Sequence, residues 1–95
     1  MVEDALRRRV EAELPGWRVD GEELVAAWRF PDFGAALAAA VRVGVLAERA
    51  DHHPDLELGW GRLAARLTTH SAGGLTVKDL ELARALSGAI GAPER

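Results

Sequence analysis

All three histidines of this chain stand between Glu48 and Asp79, as His52, His53 and His70. Imidazole is the side chain whose ordinary pKa lies nearest neutrality, so it can give or take a proton at physiological pH. Glu48 precedes the group and Asp79 follows it. A carboxylate beside an imidazole fixes which ring nitrogen carries the proton, so these residue types together suit general acid–base work on a small bound molecule. Pro54 denies His53 the helical conformation and so sets the direction in which that ring is presented.

Two other chemistries compete. A metal site is harder to build, because adjacent His52 and His53 before a proline cannot easily turn both rings onto one ion. The chain also has no cysteine to supply thiolates. A nucleophilic site would rely on Ser71 beside His70, and no nucleophile elbow surrounds that pair. Each residue also has a plain structural reading. Asp79 can be a helix cap, Glu48 a solvent-facing carboxylate and Trp60 the packing of a turn.

The elements that must bring these residues together follow from periodicity. Val2, Leu6, Val10 and Leu14 recur at helical spacing, which predicts a helix over 2–14 that Pro15-Gly16 ends. A short strand over 17–19 leads to the hairpin dipeptide Asp20-Gly21. The next strand, about 22–30, alternates Leu24, Ala26, Trp28 and Phe30 onto a buried face. A helix over 33–50 carries Phe33, Leu37, Ala40, Val41, Gly44 and Ala47 on the stripe expected to face the core. Gly44 is read there as a point of close packing. Glu48 sits on its last turn and His52-His53 at its exit.

Beyond Pro54, a strand fragment over 56–58 and a turn at Gly59-Trp60-Gly61 precede an alternating strand over 62–69, with His70 at its end. Ser71-Ala72-Gly73-Gly74 is a tight connection. Thr76 opens the last helix, with Asp79 in capping-box position and Leu80, Ala83, Leu86 and Ile90 as the apolar stripe. The tail 91–95 is expected to fray. The order α-β-β-α-β-β-α predicts an α+β domain over residues 1–95, a four-stranded antiparallel sheet with three helices on one face.

A chain of 95 residues makes one domain that buries roughly 60–65% of its unfolded surface. Alanine supplies much of its 48% hydrophobic content, so the core is thin and self-association is expected. The net charge of -3 argues against a nucleic-acid footprint, which needs a basic face. Arg7-Arg8-Arg9 is the one basic run, and Glu3 and Asp4 sit one helical turn before Arg7 and Arg8. No apolar run approaches the roughly 18 residues of a membrane span, and the start of the chain lacks a signal-peptide apolar region. The absence of cysteine fits a reducing compartment, and the expectation is a cytoplasmic protein that binds neither nucleic acid nor membrane.

The ordered set Glu48, His52-His53-Pro54, Trp60, His70 and Asp79 resembles the signature of the pterin-4a-carbinolamine dehydratases, also called 4a-hydroxytetrahydrobiopterin dehydratases. The stretches Leu67-Thr68-Thr69-His70, Gly73-Gly74-Leu75-Thr76 and Lys78-Asp79 resemble the same family, as do Phe33 and Ala47-Glu48 upstream. The resemblance implies an α+β fold and dehydration of a 4a-hydroxytetrahydropterin to a quinonoid dihydropterin. The pterin is then the substrate, and neither a metal nor a redox cofactor is required.

By the family pattern His52 and His70 are proton donors or acceptors flanking the ring, and His53 contacts the pterin. Glu48 and Asp79 orient imidazoles or substrate. The resemblance also implies a homo-oligomer, dimer or tetramer, with a tetramer built from dimers favoured. Leu56, Trp60 and Ser71 depart from residues frequent in the family and bear on the pocket rim, the assembly surface and substrate preference. The alternative is an idle relative acting as a dimerisation cofactor or assembly chaperone; retention of all three histidines favours catalysis.

Overall fold

The structure is a computed structural model that describes residues 2–95. Helix α1 runs over Asp4–Glu13, and Val10 on the helix is buried with the flanking Val2 and Leu14. Strands β1 (Arg18–Asp20) and β2 (Glu23–Arg29) form a hairpin in which Asp20 pairs with Glu23. The two-residue loop is therefore Gly21-Glu22, one position later than the sequence pattern suggests. Gly21 takes φ 62° at its first position, a conformation that favours glycine.

Helix α2 (Phe33–Ala50) starts at Asp32, whose side chain accepts from the Ala35 N–H at 2.8 Å. Strands β3 (Asp55–Gly59) and β4 (Arg62–Leu67) form the second hairpin. A single 3-10 turn over His70–Ala72 leads to α3 (Val77–Ile90). The sheet order is β1-β2-β4-β3 with every pair antiparallel, the expected α+β arrangement.

Alternation selects the core face. Leu24 pairs with Leu67, Ala26 with Ala65 and Trp28 with Leu63, and all six are buried. The three helices add Val10, Ala39, Val43, Leu80, Ala83 and Leu86 to the same cluster. Fully burying one such leucine contributes about 1.5–3 kcal/mol. Trp17 and Trp28 meet edge to face at 5.5 Å, and their indole N–H groups donate to Ser87 Oγ and the Gly91 carbonyl.

Two expectations are corrected here. The buried face of α2 is Ala36, Ala39, Val43 and Ala47, with Ala40 and Leu46 half-buried. Phe33, Leu37, Val41 and Val45 are 44%, 45%, 58% and 48% exposed, and a Cβ on Gly44 would meet nothing within 4 Å. Alanines let the helix lie close to the sheet, so the small side chains turn inward and the larger ones are left outside. The tail, expected to fray, is also held. Glu94 N–H donates to the Ala27 carbonyl at 2.8 Å, and Pro93 is buried against Gly16, where a Cβ would overlap the Pro93 carbonyl. The paired part of β1 reaches only to Arg18 opposite Val25, which leaves the next stretch of the β2 edge needing a partner, and the tail supplies one.

Candidate active site

The end of α2 delivers the first histidines. Asp51 takes the left-handed conformation (φ 50°, ψ 43°), which a short polar side chain tolerates. The His52 N–H then donates to the Ala47 carbonyl and the Asp51 N–H to the Glu48 carbonyl, at 3.1 and 3.2 Å. This is the Schellman closure of a helix end, and it turns the chain toward α3. There His52 Nε2 lies 2.5 Å from Asp79 Oδ1, with the imidazole 13% exposed and the carboxylate fully buried.

The proton positions around Asp79 follow from the partners. Lys78 N–H donates to Thr76 Oγ1 at 3.2 Å, and Thr69 Oγ1 donates to Asp79 Oδ2 at 2.8 Å. The bond of 2.8 Å between the two threonine hydroxyls must therefore run from Thr76 to Thr69, because the one Thr69 proton is already used. Thr76 N–H also donates to Asp79 Oδ2, at 3.0 Å. A carboxylate accepting on both oxygens requires His52 to carry its proton on Nε2, which leaves Nδ1 as the nitrogen without a proton. The two sequence readings of Asp79 thus coexist: it completes the capping box of α3 and holds an imidazole. Thr69 was not singled out from the sequence. Its signal was position, a hydroxyl immediately before His70 at the end of an alternating strand.

The other residues stand further out. His53 Nε2 lies 2.8 Å from Glu48 Oε1, both exposed, so solvent screens that pair. Pro54 is half-buried behind them. His70 is exposed on its 3-10 turn, and its ring makes no hydrogen bond among the described residues. That turn is clamped by the Thr69–Gly74 bridge, with N–H···O distances of 3.1 and 3.3 Å. A Cβ on Gly74 would overlap the Glu22 side chain, so the loop sits directly against the β1–β2 hairpin. Trp60, read as turn packing, is 74% exposed at its turn.

The same His52 lines an open groove of about 470 Å³ between α2 and α3, with Leu46, Arg49, Lys78, Glu81 and Leu82 among its walls. Neither His53 nor His70 belongs to that lining. Among the described residues, no group of three or more His, Cys, Asp or Glu is placed to hold a metal ion, and no helix is long and apolar enough to cross a membrane.

The family model described as Pterin 4 alpha carbinolamine dehydratase matches residues 1–89. The chain belongs to that family. A "Putative pterin-4-alpha-carbinolamine dehydratase" of Thermomicrobium roseum is 43% identical over 86 residues, covering 90% of this chain and 92% of the relative. One of the same name from Thermosynechococcus vestitus is 45% identical over 76 residues, 80% of each chain. Among solved structures, the transcriptional coactivator/pterin dehydratase from Brucella melitensis superposes with a TM-score of 0.85 at 31% identity, covering 96% of this chain and 98% of that one. A pterin dehydratase-like protein identified as a RuBisCO assembly factor in the alpha-carboxysome shares the fold, with a TM-score of 0.69 at 19% identity over 81% of this chain and 92% of that one.

Proposed function

We propose that this dehydratase-family protein removes water from a 4a-hydroxytetrahydropterin to give the quinonoid dihydropterin, in the recycling of a tetrahydrobiopterin-type cofactor. The observation that carries the reading is the buried Asp79 carboxylate holding His52 by Nε2, which frees Nδ1 for substrate. In the proposed step the bond from carbon 4a to its hydroxyl oxygen breaks, and the oxygen leaves with the bonding pair and a proton as water. A ring nitrogen gives up its proton, and its electrons form the new carbon–nitrogen double bond. No electrons pass to an acceptor, so the reaction calls on no redox cofactor.

Within this reading His52 Nδ1 takes the ring-nitrogen proton and His70 delivers one to the leaving oxygen. His53, held by Glu48 and set by Pro54, touches the pterin. Acid–base groups of this kind contribute about 10²–10⁴-fold each. The test is turnover of a 4a-hydroxytetrahydropterin generated in place by wild type and by His52→Ala. Loss of at least about tenfold in the folded variant is expected, and full activity refutes the assignment. The reading places the reaction in the cytoplasm, in keeping with the cysteine-free composition.

We further propose that the protein is a homo-oligomer joined through the exposed Phe33, Leu37, Val41 and Val45 stripe of α2. The same stripe gives the second reading its footing: an interaction module, as the coactivator half of the Brucella protein's name suggests. Absence of turnover in a wild-type protein that still captures a protein partner would decide for that module.

A further inference from the structure

We propose that the groove between α2 and α3 seats the substrate's side chain and selects an anionic one. Arg49 and Lys78 would receive a phosphate or carboxylate carried on the carbon-6 substituent of the pterin. The proposal rests on the dehydratase reading and adds the substrate class to it.

The groove holds about 470 Å³, within the roughly 300–1,000 Å³ of small-molecule sites, and His52 forms part of its wall. A ring engaged by His52 Nδ1 therefore has a cavity beside it for whatever the ring carries. Leu46, Ala50, Leu82 and Ala85 give that cavity an apolar lining. Arg49 reaches it from the last turn of α2 and Lys78 from the first turn of α3.

Charge pairing separates these two cations from five of the other ten. Arg9, Arg29, Arg62, Arg66 and Arg84 each pair with a carboxylate, whereas Arg49 and Lys78 make no ion pair among the described residues. Of the nearby acids, Glu48 is bonded to His53, Asp79 is buried with its own donors, and Asp51 is exposed beside the groove but outside its lining. Glu81 is the one carboxylate in the groove lining, so the two cations outnumber it. In a chain of net charge -3, two uncommitted cations on one cavity next to the proton-transferring ring suit an anion.

The test uses the full chain and two 4a-hydroxytetrahydropterins generated in place, one with a phosphorylated side chain and one with a neutral hydroxylated side chain. The quantity read is the ratio of kcat/KM for the phosphorylated over the neutral substrate. A second arm reads the corresponding Kd ratio for the two oxidised pterins by quenching of pterin fluorescence. Wild type is expected to prefer the phosphorylated compound, and Arg49→Glu or Lys78→Glu to lower the ratio at least about tenfold. Arg42→Glu makes the same charge change outside this groove's lining, and its ratio is expected to stay at the wild-type value. Turnover with a ratio near unity, or one that the charge reversals leave unmoved, overturns the groove assignment while the dehydratase reading stands. Absence of turnover on both substrates together with preferential binding of the phosphorylated pterin removes the dehydratase reading and keeps the groove. An equal fall of the ratio in Arg42→Glu refers the effect to overall charge and also overturns the proposal.

Discussion

Asp79→Asn changes one atom at the point where the fold and the proposed chemistry meet. In the native site both carboxylate oxygens accept, Oδ1 from His52 and Oδ2 from Thr69 and Thr76. An asparagine keeps one accepting oxygen and replaces the other with a donor. If its amide nitrogen faces the threonines, the Thr76 N–H has no acceptor, and a buried unsatisfied donor costs about 1–3 kcal/mol. The cheaper orientation turns the amide nitrogen toward His52, which must then accept on Nε2 and move its own proton to Nδ1. The fold survives, with the bonds from Thr69 and Thr76 weakened from the roughly 1.5–3 kcal/mol typical of charged partners toward the 0.5–1.5 of neutral ones. A net loss of about 1–3 kcal/mol lowers Tm by at least about 4 °C in a domain of this size. Activity should fall more steeply, by about 10²-fold or more, because a neutral ring with its proton on Nδ1 cannot accept one there. The assay is turnover beside a thermal melt, with the ring tautomer read from nitrogen-15 chemical shifts. A folded Asp79→Asn protein with a proton on His52 Nδ1 and activity within threefold of wild type would refute the reasoning.

Other outcomes follow from the same structure. His70→Ala should lower turnover at least about tenfold with no change in Tm, since its exposed ring makes no hydrogen bond to a described residue; His53→Ala should cost less, and the reverse ranking would exchange their roles. Val41→Asp, at the most exposed point of the α2 stripe, should dissociate the oligomer in analytical ultracentrifugation; an unchanged mass moves the interface elsewhere. The hydrogen bond from Arg9 holds the Glu13 carboxyl below its ordinary value, with the charges of Arg9 and Arg84 adding to the effect against an opposing desolvation. Its ionised form therefore supports the fold above the ordinary glutamate range, and that support is lost as pH falls through the lowered value. Melts between roughly pH 6 and 3 should show a smaller acid-side loss of Tm in Glu13→Gln than in wild type, and identical curves would count against a stabilising role for the Arg9–Glu13 pair.

Much of this molecule was legible in its sequence because the signals concerned are local. A strand has only two faces, so the alternation of Leu24, Ala26 and Trp28 and of Leu63, Ala65 and Leu67 determined the core side of the sheet. Proline, glycine and the Thr76–Asp79 pair marked the ends of elements, and the spacing of histidines and carboxylates marked the candidate site. Tertiary structure decided what local pattern leaves open. Helix α2 is apolar around most of its circumference, so periodicity could not say that Ala36, Ala39, Val43 and Ala47 face inward; the close approach of the sheet did. The tail was ordered by an unpaired stretch of the β2 edge far away in sequence. Likewise, the union of His52 with Asp79 and Thr69 joins a helix end, a helix start and a strand end. A bond between such distant residues depends on how whole elements pack, and only the folded chain sets that distance.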